Sequence, residues 1–344
     1  MSRLEFHWIK WLRVLLWVYF TILFGRPVLQ ASLGDRFWWL FLLNTLSIYL
    51  FLPLPVILLA AFWVKQRETW LGTGLAVVMA VFSIGKYYIP INTFTPPAAG
   101  KTITVMTYNV LGFNEHPDKV VAAIRASGAD VVTLQELNPA VAAAIHQDLH
   151  GEYPYQQLDP RETYYGMGVI SRYPLELSSE KMPGTWIGIP QILTMNMDGQ
   201  PVTIINAHPH ATNLNQPAKI EWSIQEREKQ ARAILDFATS HPGPLLVPID
   251  FNSTDQNVSY AIVTNTLTDA WRTAGRGLGY TFPGANSPGS SRLKIGNIPV
   301  PMWLVRIDFV FFSSHFQAVD ARIGPWDGFS DHRPVVAQLI LVNP

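Results

Sequence analysis

The chain has 344 residues, 25 Lys or Arg against 25 Asp or Glu, and no cysteine. That length holds one large domain with an appendage, or two ordinary domains; the missing thiols exclude disulfides, thiolate nucleophiles and Cys-ligated zinc without fixing the compartment. The zero net charge hides two opposite parts: residues 1–100 carry 8 Lys or Arg and 3 Asp or Glu (8 − 3 = +5), and residues 101–344 carry 17 and 22 (17 − 22 = −5).

Three apolar segments come first, Trp11 to Phe24, Phe37 to about Phe62, and Trp70 to about Ile89. Each approaches or exceeds the roughly 20 residues that cross a bilayer as a helix. The first is the shortest and reaches back to Trp8 only by including Lys10 and Arg13, which would snorkel to the interface. Pro53 and Pro55 predict a kink or helix end near Leu52 in the second. A cleaved signal peptide before a buried helical domain fits poorly, because no small-residue cleavage site follows the first segment. The pattern predicts three membrane-spanning helices within residues 1–90, anchored at the interfaces by Trp8, Trp11, Trp38, Trp39, Trp70, Tyr87 and Tyr88. With the amino terminus inside, Arg3, Lys10, Arg13, Lys65 and Arg67 lie inside and Arg26, Arg36, Lys86 and Lys101 outside. This slight bias puts the remaining chain on the extracytoplasmic side. Residues 91–100, rich in Pro and Thr, read as a linker.

From Lys101 the pattern changes to short strands and helices. Lys101 to Val110 is a β-branched strand that brings Asn109 to its end. Val120 to Ala126 reads as a helix closed by Gly128, and Ala129 to Glu136 as a second strand with Glu136 at its far end. A carboxylate there needs a partner, either a hard cation or a nearby Arg. Gly166 to Leu175 reads as a strand ending at a turn. Ile192 to Met197 and Pro201 to Ala207 flank Asp198-Gly199, the dipeptide of a tight hairpin, which ends in Asn206-Ala207-His208-Pro209-His210. Two His at that spacing can bind a transition metal, contact a phosphate, or simply lie on the surface. A helix over Glu221 to Ala238 follows, then Leu245 to Ile249 delivers Asp250-Phe251-Asn252, where alternation sends Asp250 and Asn252 to one face and Phe251 to the other. The stretch from Gly275 to Pro301, with Arg276, Arg292 and Lys294, reads equally as a substrate loop and as a flexible surface loop. Arg306 to Phe312 places Asp308 inside an apolar strand, an expensive position for an unpaired charge. Phe329-Ser330-Asp331-His332-Arg333-Pro334 then sets an acid and an imidazole just before the closing strand Val335 to Leu341, and pairing His332 with Asp308 would relieve that cost.

The ordered set Tyr108-Asn109, Gln135-Glu136, Asn206-Ala207-His208, Asp250-Phe251-Asn252, Ile307-Asp308-Phe309-Val310 and Ser330-Asp331-His332 resembles the endonuclease/exonuclease/phosphatase (DNase I-like) superfamily. The resemblance covers residues 101–344 and departs from the usual pattern at Pro248-Ile249, where a Gly ordinarily precedes the Asp. Together with the three amino-terminal helices, it is similar to a membrane-anchored bacterial branch of that superfamily.

The resemblance implies an α+β fold, a four-layer α/β/β/α sandwich preceded by about three transmembrane helices. It also implies a metal-dependent hydrolase acting on a phosphodiester, phosphomonoester or pyrophosphate bond. By resemblance, Glu136 is the main ligand of Mg²⁺ or Mn²⁺, with Asn109 and Asp331 nearby. Asp250 orients or deprotonates water, Asn252 holds a phosphate oxygen, and His208 contacts the phosphate or protonates the leaving group. His332 acts as general base or phosphate contact, with Asp308 fixing its tautomer. The anchoring helices point to the lipid bilayer of a bacterial plasma membrane and a lipid-linked phosphate substrate. A nuclease draws its affinity from basic residues, so a −5 domain disfavours general nucleic-acid binding; a non-catalytic module on the same fold is the remaining alternative.

Overall fold

The computed structural model describes residues 3–342 except 215, 291 and 293; the outermost ends of the predicted 1–90 and 101–344 segments and part of the 275–301 loop lie outside the described residues. The chain divides into two compact units, Met1–Tyr88 and Ile89–Pro344.

In the first unit, α1 (Arg3–Leu33) is followed by α2 (Trp38–Thr45), a 3₁₀ turn over Ser47–Phe51, α3 (Leu54–Val64) and α4 (Arg67–Gly85). Among the described residues, three stretches are long and apolar enough to cross a membrane: Trp8–Leu33, Ser47–Val64 and Arg67–Gly85. The first is therefore longer than its sequence suggests, since α1 runs on through Pro27. The second begins at Ser47 rather than Phe37. The buried Asn44 explains the early break: its amide donates to Gly34 O at 3.2 Å and Asp35 Oδ1 at 2.8 Å and accepts from Arg26 Nε at 3.0 Å. Pro53 then caps α3, as the predicted kink near Leu52 requires. Val56, Leu59, Phe62, Leu71, Val81 and Phe82 are exposed, an apolar surface of the kind lipid covers. Trp8, Trp11, Trp38, Trp39, Trp70 and Tyr88 are exposed as anchors need to be, whereas Tyr87 is buried.

The second unit has strands β1 (Gly100–Asn109), β2 (Val131–Gln135), β3 (Tyr155–Asp159), β4 (Met167–Ser171), β5 (Leu175–Leu177), β6 (Gln191–Met197), β7 (Gln200–Asn206), β8 (Leu245–Asp250), β9 (Thr268–Asp269), a small hairpin of β10 (Lys294–Ile295) and β11 (Ile298–Pro299), β12 (Asp308–Phe312), β13 (Phe316–Ile323) and β14 (Val335–Val342). Its helices are α5 (Pro117–Ser127), α6 (Pro139–Leu149), α7 (Pro217–Ser240), α8 (Val258–Val263) and α9 (Ala270–Ala274). Two six-stranded sheets form, ordered β13-β14-β1-β2-β4-β3 and β5-β6-β7-β8-β12-β9.

Side-chain alternation along these strands makes the layers. Ile103 and Val105 of β1 meet Leu246 of β8 and Val310 and Phe312 of β12 between the sheets. Met106 and Tyr108, one residue out of phase, pack with Val120 and Ile124 of α5 and Val141 and Ile145 of α6. On the other side Val247, Ile249, Phe309 and Phe311 pack with Ala231 and Ile234 of α7 and Ile262 of α8. The result is the α/β/β/α sandwich, with the central strands β2, β4, β8 and β12 buried on both faces.

Asp198 and Gly199 both take positive φ at the β6–β7 turn, as the hairpin dipeptide requires. Helix α6, not among the elements predicted from sequence, opens on the start signal Asn138-Pro139: Asn138 Oδ1 accepts from Val141 N at 2.9 Å. Residues 91–100, read as a linker, lie along β13: Asn92 Nδ2 donates to Ala318 O at 2.8 Å and Gln317 Nε2 to Pro96 O at 3.0 Å.

One glycine governs the turn after β2. A Cβ on Gly166 would collide with the carbonyl oxygen of Leu137, and Gly166 O accepts from Leu137 N at 3.0 Å. Gly166→Ala should destabilise the fold by more than about 1 kcal/mol, read as a lowered thermal midpoint by circular dichroism, and should reduce activity because Glu136 immediately precedes Leu137.

Candidate active site

The inter-sheet layer is apolar along most of its length and turns polar at one end. β1, β2, β7 and β8 finish there and β12 starts there, so the inward phase that carries Val105, Val131, Ile204, Leu246 and Val310 ends in Asn109, Gln135, Asn206, Asp250 and Asp308. All five are fully buried, so each must find polar partners.

Asn206 Nδ2 donates to Leu134 O at 3.2 Å, Gly168 O at 3.0 Å and Gln191 Oε1 at 3.1 Å, and its Oδ1 accepts from Gln135 Nε2 at 2.8 Å. This Asn ties the two sheets together. Asp308 Oδ2 lies 3.0 Å from His332 Nδ1, the pairing expected from sequence. His332 Nε2 lies 3.7 Å from Asp250 Oδ2, and His208 Nε2 lies 3.2 Å from the same oxygen. Asn109 Nδ2 donates to Asp250 Oδ2 at 2.9 Å and to Glu136 Oε1 at 3.0 Å, while its Oδ1 accepts from Leu111 N at 3.0 Å. Asn109, read as a metal neighbour, is thus the donor that links two carboxylates.

Glu136 stands just beyond β2 with φ at 57°, half-buried at the rim. Its Oε2 accepts from Gly112 N at 3.0 Å. Among the described residues it forms no salt bridge with Arg, the alternative open from sequence. Asn252 also has positive φ, 52°, so the turn after β8, not strand alternation, sets its direction. Its Nδ2 donates to Pro209 O at 3.0 Å, and its backbone N–H to Asp250 Oδ1 at 3.1 Å. Left-handed backbone at three non-glycine positions, Leu111, Glu136 and Asn252, marks strand ends where side-chain placement outweighs local strain.

His210 parts from His208. It packs against Trp222 at 4.9 Å, with Nε2 3.3 Å from Thr185 Oγ1; the two His do not form a shared site. Among the described residues, His208 Nδ1 is buried without a hydrogen-bond partner. Asp331 is buried beside His332, and Gly284 N donates to its carbonyl at 2.6 Å. Arg292 of the 275–301 loop donates to Val300 O at 2.8 Å and Gly284 O at 3.3 Å, bracing its own loop.

The residues that hold the His332 loop lie outside the motifs read from the sequence. Asp327 Oδ1 accepts from Phe329 N and Ser330 N, both at 3.0 Å, and its Oδ2 accepts from Asn114 Nδ2 at 2.6 Å. Ser330 Oγ donates to Asn109 O at 2.8 Å and accepts from His332 N at 3.0 Å. Asp327-Gly328 is a turn signal that would have flagged this clamp. Thr281 Oγ1 likewise accepts from Ile307 N at 3.1 Å, steadying the start of β12.

Electrostatics follow from this crowding. Burial acts to raise Asp250, but His332, His208 and Asn109 outweigh it and hold the carboxyl down to about 2. Burial raises Asp308, with Asp250 adding to it and His332 opposing it. Burial acts to lower His332, yet Asp308 and Asp250 overcome it and push the imidazole well above its usual range. His332 is therefore the cation that makes two buried carboxylates tolerable. Among the described residues, Asp250, Asp308 and His332 form the one group of three or more His, Asp or Glu whose ligand atoms all lie within 4.8 Å.

Two packed mixed sheets, with acids, amides and imidazoles converging at the strand ends, make this rim the polar centre of the second unit. The sequence model of the Endonuclease/Exonuclease/phosphatase family matches residues 106–332, and the chain belongs to that family. Members of this family are divalent-metal-dependent hydrolases of phosphodiester bonds.

Solved structures with this fold include D. rerio TDP2 complexed with single-strand DNA product, 19% identical with TM-score 0.54 over 70% of this chain and 99% of that one. Truncated Caenorhabditis elegans TDP2 is 20% identical with TM-score 0.52 over 70% and 98%. A family protein from Bacteroides thetaiotaomicron is 14% identical with TM-score 0.50 over 71% and 100%. At these identities the likeness establishes the fold alone. No curated protein matches the chain.

His332 makes stability depend on pH. Its folded pKa lies above the unfolded value of about 6.5, so its contribution is complete below that pH and is lost as pH rises through the folded pKa. In chelator-treated protein, the difference in thermal midpoint between wild type and His332→Gln should be largest below pH 6.5 and shrink on alkalinisation.

Proposed function

We propose that the chain is a membrane-anchored, divalent-metal-dependent phosphoesterase that hydrolyses a phosphodiester, phosphomonoester or pyrophosphate bond of a lipid-linked substrate. The observation that carries this reading is the hydrogen-bonded chain Glu136–Asn109–Asp250–His208, joined through Asp250 to His332 and Asp308, at the polar end of the inter-sheet layer. Three apolar helices in the same polypeptide support a substrate held at a bilayer. By the charge bias, the catalytic unit lies on the extracytoplasmic side of a bacterial plasma membrane.

The donor set suits a hard cation. Glu136 offers carboxylate oxygens at the rim, fixed by Asn109 Nδ2 and Gly112 N, and oxygen donors are what Mg²⁺ and Mn²⁺ prefer. Glu136 would hold the metal, with Asn109 orienting it and Asp331 nearby. When bound, the metal neutralises charge on the phosphoryl oxygens.

The remaining work is positioning and charge stabilisation by this chain's own side chains. Asp250, ionised at neutral pH, orients the attacking water, and Asn252 holds a phosphate oxygen. His332 presents Nε2 while Asp308 holds Nδ1–H, and as an imidazolium it contacts a phosphoryl oxygen. His208 assists the leaving oxygen.

The −5 charge of residues 101–344 argues against general DNA cleavage, because counterion release needs basic contacts. Detergent-purified full-length protein offered phospholipid, polyprenyl diphosphate and plasmid DNA in parallel should release phosphate or headgroup from a lipid only with Mg²⁺ or Mn²⁺. Glu136→Ala should abolish this turnover, and His332→Ala and Asp308→Asn should each lower kcat by about 10²–10⁴. DNA cleavage lost in Glu136→Ala would install the nuclease reading instead, and identical behaviour of wild type and variant on all three substrates would leave a binding module.

A further inference from the structure

Helix α6 runs on the outer face of the first sheet, and its inner face, Val141, Ile145 and Leu149, is consumed by the core. Its outer face carries His146 and, at the helix end in continuing helical conformation, His150. The two are four residues apart and therefore neighbours on one face. Their rings are 5.4 Å apart, centre to centre, and inclined at 58°. Two imidazoles bound to one ion at about 2.1 Å in a tetrahedral arrangement place their ring centres about 5 Å apart, so this spacing needs little adjustment.

His146 is also oriented. Its Nδ1 lies 3.1 Å from Gln156 Oε1 on β3. The Gln156 amide cannot offer its nitrogen there, because Nε2 donates to Tyr153 O at 3.0 Å. Tyr153 is itself fixed, fully buried with its hydroxyl donating to Ala129 O at 2.7 Å. An acceptor held against Nδ1 puts the proton on Nδ1 and leaves Nε2 with its lone pair outward. A ligating His is commonly prepared in this way, its second nitrogen donating to a protein oxygen.

We propose that His146 and His150 form a surface site for an imidazole-preferring first-row cation of the Zn²⁺, Ni²⁺ or Cu²⁺ class, with Gln156 as a positioning residue. The two histidines supply two nitrogen ligands, and the open positions take water or a donor from another molecule. The ligand chemistry differs from the oxygen-rich set around Glu136, so the two sites sort metals by donor type. The proposal does not rest on the hydrolytic reading.

The test is isothermal titration of tag-free, detergent-purified full-length protein with Ni²⁺ in the presence of excess Mg²⁺. Wild type should bind one equivalent of Ni²⁺ more than the His146→Ala/His150→Ala double variant, and each single variant should bind it at least about tenfold more weakly. Gln156→Leu should weaken binding about 10- to 100-fold, whereas Glu136→Ala should leave this equivalent intact. Ni²⁺ should also raise the thermal midpoint of wild type more than that of the double variant. Equal Ni²⁺ stoichiometry and affinity in wild type and double variant would overturn the site, and undiminished affinity in Gln156→Leu would overturn the positioning role.

Discussion

The second unit depends on one electrostatic arrangement, the placing of two carboxylates, Asp250 and Asp308, in the interior of a two-sheet sandwich with His332 as their shared cation. Isolated buried carboxylates neutralise or unfold their surroundings. Here Asp250 is held ionised by two imidazoles and an amide, and Asp308 binds the far side of His332. β8, β12 and the segment before β14 must therefore converge for any of the three charges to be tolerated. The same convergence gathers Asn109, His208 and Asp250 around one oxygen beside His332.

Strand phase explains how an otherwise apolar sandwich acquires such a centre. Each strand alternates between a helix-covered face and the inter-sheet face, and the inter-sheet residues run from Val, Ile and Leu, through Thr107, Thr133 and Pro248, to Asn, Gln and Asp at the last position of β1, β2, β7 and β8 and the first of β12. The apolar length of these strands fixes the register, and the register fixes which polar atoms meet. Asn206 illustrates the consequence: its amide contacts β2, β4 and β6 while belonging to β7. It is a cross-brace for both sheets next to the groups assigned to chemistry.

Around this centre the loops serve as supports. Asp327 and Ser330 shape the turn that offers His332, Thr281 steadies Asp308, and Arg292 ties the 275–301 loop to its own carbonyls. The amino-terminal unit follows a different physics. Its helices leave Phe62, Leu71 and Phe82 outward, an apolar surface on stretches long and apolar enough to cross a bilayer.

The sequence by itself determined the three apolar stretches, the strands ending in Asn109, Asn206 and Asp250, the Asp198-Gly199 hairpin and the pairing of Asp308 with His332, because each is written in local periodicity, turn chemistry or the cost of burying a charge. It also carried the ordered motifs by which the family was legible. Other features only the tertiary structure decided. Asn109 stands between two carboxylates, Glu136 and Asn252 leave the strand through left-handed backbone, His210 turns away from His208, and the second apolar stretch starts at Ser47 because Asn44 binds Asp35 and Arg26. Each depends on partners far apart in the chain or on a single backbone torsion, and neither leaves a periodic trace in the order of residues. Helix α6 lies between these cases: its Asn-Pro start signal was present in the sequence, but the face that joins the core, and hence the face left to His146 and His150, was set by the sheet against which it folds.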